Sequence, residues 1–147
     1  MSTEDNKAIV RRAYLDGLNH RDLGVVDEVF DVDYVVHYPH TGPVKGVEKA
    51  KEFLTQFLTA FPDCVFTIED QVAEDDKVVT RWSCRGTHLG EWHGLPGSAD
   101  PTVPPSGRPV AFGATDIYLI RDGKIVEEWN TLEQLDVLSQ IGALPGT

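Results

Sequence analysis

Two polar residues in the second half of the chain have the types that proton transfer requires. Asp116 lies within the run GATDIYLI, and Asn130 closes the run GKIVEEWN. Removing a proton next to a carbonyl group needs a base beside the carbon and a hydrogen-bond donor for the oxygen that becomes negative. An aspartate can be the base and the NH₂ of an asparagine can be a donor. We therefore interpret Asp116 as the candidate base and Asn130 as a catalytic partner.

The two runs predict how these side chains meet. Both read as β-strands, and on paired strands Asn130 would lie opposite or diagonal to Asp116, within reach of its carboxylate or of a substrate oxygen. Burial in an apolar pocket would raise the pKa of Asp116 towards a useful range. The alternative, that Asp116 is exposed or bonds to nearby backbone, stays open.

Two histidines are further candidates for proton transfer. His37 ends the run YVVH and can point into a pocket, and His88 follows the strand run RWSCRGT. Either could be a proton shuttle. The alternative is that one of them ties a loop to the backbone, and we favour that interpretation for His88 because glycines flank it. The other histidines lie at a helix end or in loops, where we expect them to be exposed: His20, His40 and His93.

The remaining reactive side chains form no recognisable catalytic set. His37 and His40 fall on opposite faces of a continuing strand, and no His or Glu spacing completes a three-ligand metal site. No serine lies in the Gly-flanked elbow of a Ser-His-Asp enzyme. Cys64 and Cys84 have no CxxC spacing, so we predict buried free thiols rather than a nucleophile or metal ligands.

Composition excludes several classes of partner. The chain has 147 residues, which suits one domain spanning residues 1–147, and 24 acidic against 13 basic side chains give a formal net charge of −11. That charge repels nucleic acids and anionic membrane surfaces. The polar, acidic N-terminus does not resemble a secretory signal, and no run approaches the length of a membrane span. We expect a cytoplasmic protein.

Three segments near the N-terminus follow a helical period. The first can be capped by Ser2 or Thr3, and the second is opened by Asp22. The third, residues 47–61, has apolar residues at helical spacing and cannot continue through Pro62.

Strand patterns dominate after these helices. The runs CVFTIEDQVA, KVVTRWSCRGTH, RPVAFGATDIYLI and KIVEEWN are β-rich, and turns around Asp75-Asp76 and at Asp122-Gly123 join two hairpins. DYVVHYPHTGP reads as a further strand stopped by Pro39. We predict an α+β fold in which three N-terminal helices pack on a curved, largely antiparallel, cone-shaped sheet and enclose an apolar pocket.

Several of these runs carry a family resemblance. The segments RWSCRGTHLGEWHGLPG and GRPVAFGATDIYLIRDGKIVEEWNTLEQLDVLSQIGAL resemble the SnoaL-like polyketide cyclases (ester cyclases), which share the fold of nuclear transport factor two. The more specific parts are RGTH.GE..G.P and DGKI.E.W. The resemblance implies an aromatic polyketide substrate, ring closure by intramolecular aldol chemistry and no cofactor.

The resemblance also implies where the catalytic groups of the family would fall. The acid/base aspartate of the cyclases corresponds to Asn130, and a histidine that assists it corresponds roughly to Asp116. This chain therefore has an amide where the family has an acid, and an acid where the family has a helper.

We expect the remaining pocket residues to be mainly aromatic. Trp92 lies in the long Pro/Gly-rich segment between the second and third β-rich runs, so we predict it at a lid or pocket mouth. Strict alternation along residues 123–130 places Glu128 on the face of Asn130. The predicted substrate-binding residues are Tyr14, Phe53, Phe57, Trp82, Trp92, Tyr118 and Glu128.

The same alternation predicts an assembly. It places Ile125 and Trp129 on the other face of the strand, where they could form an apolar outer surface that a second copy covers. We therefore predict a homodimer.

Three functional classes remain open at this point. The first is a cofactor-free cyclase acting on a polyketide or a similar hydrophobic carbonyl compound. The second is a related reaction in the same pocket, such as hydroxylation, epoxide opening or isomerisation. The third is a non-catalytic protein that binds a small hydrophobic ligand.

Overall fold

The computed structural model of the chain describes residues 1–39 and 41–147. His40, which we expected to be exposed, lies outside the described residues. The elements are α1 (Thr3–Arg12), a π-helix (Ala13–Leu18), α2 (Leu23–Val29), β1 (Phe30–His37), β2 (Val44–Lys45), α3 (Val47–Ala60), β3 (Val65–Glu74), β4 (Lys77–Thr87), β5 (Pro109–Arg121), β6 (Lys124–Trp129) and α4 (Gln134–Gln140).

The helix boundaries follow from local capping chemistry. Ser2 caps α1 in a reciprocal capping box with Asp5, and the Asp22 side chain accepts a hydrogen bond from Gly24 N–H at the start of α2. The end of α3 at Ala60 agrees with the predicted stop at Pro62. The π-helix that continues α1 was not predicted.

Six strands form one sheet in the order β2-β1-β6-β5-β4-β3. The β1–β6 pair is parallel and the other pairs are antiparallel, so the largely antiparallel prediction is confirmed. The turn between β5 and β6 has positive φ at both Asp122 (51°) and Gly123 (77°), as a tight hairpin turn of the primed class requires.

Two irregularities shift the register of the sheet. In β3 the pairing with β4 shifts between Ile68 and Asp70, and in β6 the pairing with β5 shifts between Ile125 and Glu127. An extra residue on one strand bends that strand and reverses the alternation of faces beyond it. Ile125 and Glu128 consequently both point into the core, with exposures of 0% and 8%.

The helices cover one face of this curved sheet, and the core lies between the two layers. The predicted α+β architecture is confirmed. Cys64 and Cys84 are buried free thiols, as predicted, and His20 and His93 are exposed. No helix in the described ranges is long and apolar enough to cross a membrane.

Two further segments lie outside the sheet and the N-terminal helices. α4, which was not predicted, lies beside β5, where the Gln140 side chain exchanges two hydrogen bonds of 2.7 Å with the backbone of Ala111. In the long segment between β4 and β5, Trp92 and Val103 form an isolated antiparallel bridge. The bridge joins two parts of that segment, and the buried ring of Trp92 attaches the segment to the core.

Candidate active site

A cavity of about 90 Å³ lies between the helices and the inner face of the sheet. Its lining is mainly apolar, and half of it is aromatic. The aromatic members are Tyr14, Phe30, Tyr34, Tyr38, Phe53, Phe57, Phe66, Trp82 and Tyr118; the aliphatic members are Ala13, Leu18, Val26, Ala50, Leu54 and Leu132; the other polar members are Asp116, Asn130 and Glu128.

Asp116 is the polar centre of this cavity. Its side chain is 1% exposed, yet both carboxylate oxygens have donors. Oδ2 accepts hydrogen bonds from Trp82 Nε1 and Asn130 Nδ2, both at 3.1 Å, and Oδ1 accepts one from Thr131 N–H at 3.1 Å. Desolvation raises the pKa of Asp116, and hydrogen bonding by Glu128 and then by these three donors opposes the rise by stabilising the charged form.

Two tyrosines extend the network around the same oxygen. The hydroxyls of Tyr14 and Tyr118 each lie 3.4 Å from Asp116 Oδ2, and they also hydrogen-bond to each other. Each hydroxyl has one proton, so one tyrosine donates to its neighbour while that neighbour donates to Asp116. The π-helix places Tyr14 over the sheet at this point, since it alters the register in which α1 presents its side chains.

The residues that follow β6 fold around Asp116. Asn130 Oδ1 accepts a hydrogen bond from Leu132 N–H at 2.9 Å, and this contact orients the amide so that its NH₂ faces Asp116. Thr131 is held by hydrogen bonds with both backbone groups of Thr115. The hydrogen bonds made by Asn130 Oδ1 and by the Thr131 hydroxyl thus hold the Asn130 NH₂ and the Thr131 N–H in position to donate to Asp116.

Glu128 supplies a second carboxyl group to the cavity. It lies opposite Tyr118 on the neighbouring strand and accepts a hydrogen bond from the Tyr34 hydroxyl. Desolvation is the main cause that raises the pKa of Glu128 well above its ordinary value, and the nearby charge of Asp116 is the second cause. Because Asp116 has the larger set of donors, the pair keeps its negative charge on Asp116 and its proton on Glu128.

The arrangement can perform acid–base chemistry. Asp116 is a buried carboxylate, and Oδ1 retains the capacity to accept a proton because one backbone N–H is its donor. Glu128 is a neutral carboxylic acid able to donate. Burial raises the pKa of Tyr14, Tyr34 and Tyr118 well above the ordinary tyrosine value, so their hydroxyls stay protonated as donors.

Most of the residues predicted from sequence meet at this cavity. The structure brings together Asp116, Asn130, Tyr14, Phe53, Phe57, Trp82, Tyr118 and Glu128. Asp116 is buried rather than exposed, and the expected hydrogen bond from Asn130 is present. Three predicted residues lie elsewhere: His37, His88 and Trp92.

His37 lies on the outer face of the sheet instead of pointing into the cavity. Its Nε2 is 2.6 Å from Glu127 Oε2, and its ring stacks on Trp129 with 5.4 Å between ring centroids. The neighbouring residues of β1 on the opposite face, Tyr34 and Val36, are the ones that are buried. The prediction relied on Val35, which shares a face with His37, but strict alternation also places Asp31 and Asp33 on that face and marks it as the polar one.

His88 is buried at the end of β4, outside the cavity lining. Its Nδ1 accepts a hydrogen bond of 3.1 Å from Ser106 N–H and lies 2.9 Å from Ser106 Oγ. Desolvation lowers the pKa of His88 and favours its neutral form. His88 therefore ties the segment before β5 to β4, in agreement with the structural role that its flanking glycines indicated.

Trp92 is not at the mouth of the cavity. It is 1% exposed and packs against Phe57 and Phe61, with ring centroids 6.0 Å and 5.6 Å away. The Pro/Gly-rich composition of its segment indicated a loop, but the packing of a large ring into the core depends on distant residues. The lid expected at this position is not present there.

Sequence reasoning missed several groups of the site. Tyr34 and Tyr38 line the cavity, and alternation with Val36 could have indicated Tyr34. The Thr131 N–H that holds Asp116 has no signal in its side-chain type. Within residues 1–39 and 41–147, no group of three or more His, Cys, Asp or Glu side chains is placed to hold a metal ion.

Comparison with known families decides what kind of protein contains this cavity. The model of the SnoaL-like polyketide cyclase family matches residues 8–141. The chain belongs to the SnoaL-like polyketide cyclase family. None of the curated proteins compared with it matches.

Solved structures agree with this assignment. AclR from Streptomyces galilaeus, a proposed hydroxylase, is 27% identical with a TM-score of 0.83 over 99% of this chain and 86% of its own. IdmH from Streptomyces antibioticus, a proposed polyketide cyclase, is 29% identical with a TM-score of 0.76 over 93% and 98%. A proposed SnoaL-like polyketide cyclase from Jannaschia sp. CCS1 is 24% identical, with a TM-score of 0.85 over 97% and 95%, and shares the fold.

The protonated state of Glu128 in this SnoaL-like protein predicts a pH-dependent stability. Its folded-state pKa is raised above the ordinary value of 4.5, so its contribution to stability is present below that value and is lost as pH rises through the folded-state pKa. Glu128→Gln removes the titrating group. In urea denaturation, the free energy of unfolding of Glu128→Gln minus that of wild type should therefore rise as the pH increases from about 4 to about 8.

Glu74→Gln is the matched control, because Glu74 is exposed at the end of β3. Its difference from wild type should stay constant over the same range. Parallel pH profiles for wild type and Glu128→Gln would contradict a shared proton at this site.

Proposed function

We propose that this protein is a cofactor-independent, cyclase-type enzyme of polyketide or antibiotic biosynthesis. It acts in the cytoplasm by acid–base chemistry on an aromatic polyketide or a similar hydrophobic carbonyl compound. The observation that carries the proposal is the pair of a buried carboxylate, Asp116, and a buried carboxylic acid, Glu128, on the wall of an aromatic cavity. Family membership supports the reaction class.

The first step is removal of a proton from the carbon next to a substrate carbonyl. Asp116 accepts this proton, and the electron pair of the C–H bond moves into an enolate. The carbonyl oxygen that becomes negative needs a donor, which Glu128 supplies in a water-poor cavity. The charge within the cavity stays constant, because Asp116 becomes neutral as the enolate forms.

The second step closes the ring. The enolate carbon attacks a second carbonyl carbon of the same molecule, so a C–C bond forms and the π bond of that carbonyl breaks. The resulting alkoxide takes the proton of Glu128, and the proton on Asp116 then moves to Glu128 and restores the starting state. No external oxidant or reductant is required.

Asn130 has a positioning role in this proposal. Its NH₂ donates to Asp116 at 3.1 Å, while its oxygen is occupied by Leu132 N–H. It stabilises the ionised form of Asp116 and fixes the direction of the carboxylate. The amide thus serves the base from the position where the resemblance implies the family's acid.

Asp116→Asn should abolish proton removal, because it deletes the acceptor and retains the shape. The assay follows deuterium uptake at the α-carbon of acetophenone in D₂O by NMR, so it needs no knowledge of the natural substrate. Wild type should exceed the background rate, and Asp116→Asn should equal it. Asp122→Asn, the same chemical change in the exposed β5–β6 turn, is the control and should behave as wild type.

The base would have to lie elsewhere if a folded Asp116→Asn variant retained the full exchange rate. Circular dichroism of both variants separates loss of the base from loss of the fold.

Substitutions at Asn130 test its positioning role. Asn130→Ala should slow exchange by about a hundredfold, as expected for loss of one donor in a preorganised site. Asn130→Asp places two carboxylates about 3.1 Å apart and should raise the pKa of one, shifting the pH–rate profile to higher pH. An unchanged rate and pH profile in both variants would assign Asn130 a structural role.

A second candidate is hydroxylation in the same cavity, which the similarity to AclR favours. It would also begin with proton removal by Asp116, but it would consume oxygen. An oxygen electrode therefore distinguishes it from ring closure. Epoxide opening and isomerisation are related reactions that the same cavity could support, and a protein that only binds its ligand would give no exchange above background.

We also propose that the protein is a homodimer, through an interface that differs from the one predicted with Ile125 and Trp129. Ile125 is 0% exposed and cannot contribute to an outer surface. A row of residues does cross the outer face of neighbouring strands, where Val79 pairs with Ile117 and Ile117 pairs with Trp129. Ile117 is 38% exposed. We propose that two copies of the chain meet across this row.

Ile117→Asp should convert this dimer to monomers, because it places a charge at the centre of an apolar contact. Sedimentation velocity at micromolar concentration measures the change against wild type. Leu89→Asp, at an exposed position in the segment after β4 and outside the row, is the control and should remain dimeric. A monomeric wild type would refute the assembly.

A further inference from the structure

The electrostatic balance of the cavity is unusual for a site that contains a buried charge. Asp116 is 1% exposed, and its hydrogen-bonding partners are neutral groups of tryptophan, tyrosine, asparagine and backbone. Of the described residues that line the cavity, none is lysine, arginine or histidine. The negative charge of the site is therefore hydrogen-bonded but not neutralised.

The second carboxyl group does not change this balance. Glu128 accepts a hydrogen bond from Tyr34 and keeps the proton of the pair. The cavity thus presents one negative charge on an otherwise neutral wall. In a medium of low polarity, that charge attracts a positive group far more strongly than it would in water.

The aromatic wall favours the same kind of ligand. Nine of the described lining residues are aromatic, among them Tyr14, Trp82 and Phe53. Ring faces carry partial negative charge and attract organic cations, most strongly where water is excluded. The ring surface and the carboxylate therefore select for the same sign of charge.

An anionic ligand meets the opposite conditions. A carboxylate or phosphate in the cavity would face Asp116 with no cationic side chain among the described lining residues. The formal net charge of the chain, −11, adds a long-range repulsion. Neutral ligands avoid this penalty but gain no charge attraction.

We propose that this cavity preferentially binds a hydrophobic organic cation, a protonated amine or quaternary ammonium group attached to an apolar ring. The ammonium group lies against Asp116, and the ring packs on the aromatic wall. This preference rests on the charge and lining of the cavity, so it holds whichever reaction the protein catalyses. It extends the ligand class beyond neutral carbonyl compounds.

The test compares three small probes that share one ring, and adds a quaternary ammonium compound as a fourth. Benzylammonium and benzyl alcohol differ mainly in charge, benzoate reverses the sign, and isothermal titration measures binding of each to the full chain at millimolar concentration. Benzylammonium should bind about tenfold more tightly than benzyl alcohol, and benzoate should bind most weakly. Benzyltrimethylammonium should share the preference, since cation–π attraction needs no hydrogen bond.

Asp116→Asn separates the charge of the site from that of the whole chain. It should reduce the preference for benzylammonium over benzyl alcohol to about twofold or less, whereas Asp122→Asn should retain it, although both variants lose one negative charge. Equal or tighter binding of benzyl alcohol by wild type would overturn the proposal, as would absence of benzylammonium binding. A preference that survives in a folded Asp116→Asn variant would also overturn it.

Should Asp116→Asn fail to fold, the wild-type order of the three probes decides by itself. Benzoate binding as tightly as benzylammonium would refute the preference. Failure of the proposed enzyme activity would leave this result unaffected, because the titration measures binding without turnover.

Discussion

The structure depends on keeping one carboxylate ionised away from water. An isolated charge in an apolar interior is strongly unfavourable, so it must be hydrogen-bonded on all sides or lose its charge. Asp116 obtains its donors from β4, from the segment after β6 and from one of the paired hydroxyls of Tyr14, on the π-helix, and Tyr118, on its own strand. A single side chain thus links the helical layer to three parts of the sheet. Removing any one donor weakens the charged state rather than a single contact.

This constraint also gives two similar groups different roles. Asp116 and Glu128 share a buried cavity, and two unscreened negative charges cannot coexist there at low cost. The number of donors decides which group ionises. Small local irregularities make that decision possible, because the β6 bulge directs Glu128 inward and the π-helix brings Tyr14 over Asp116. Both irregularities lie in elements that line the cavity, as is common for functional sites.

Periodicity in the sequence was sufficient for the architecture and for the centre of the site. The strand pattern and the Asp122-Gly123 turn predicted the hairpin that brings Asp116 and Asn130 together, and their side chains do meet. Prediction from periodicity failed where the position of a side chain depends on tertiary contacts. Strict alternation could not foresee the extra residue that turns Ile125 inward. The outer position of His37 could have been predicted, because Asp31 and Asp33 share its face of β1 by strict alternation, but composition alone could not place Trp92 in the core.

The amide at position 130 follows from the same electrostatic constraint. The Oδ1 atom of Asn130 accepts a hydrogen bond from Leu132 N–H, and its Nδ2 atom donates to Asp116 Oδ2 at 3.1 Å. An ionised aspartate there could accept from Leu132 but would oppose the charge of Asp116, and a protonated one would compete with Glu128 for the role of acid. Asparagine alone among side chains of this shape accepts on one side and donates on the other at every pH. Its presence at this position is therefore what allows the ionised carboxylate to lie on β5 instead of at the end of β6.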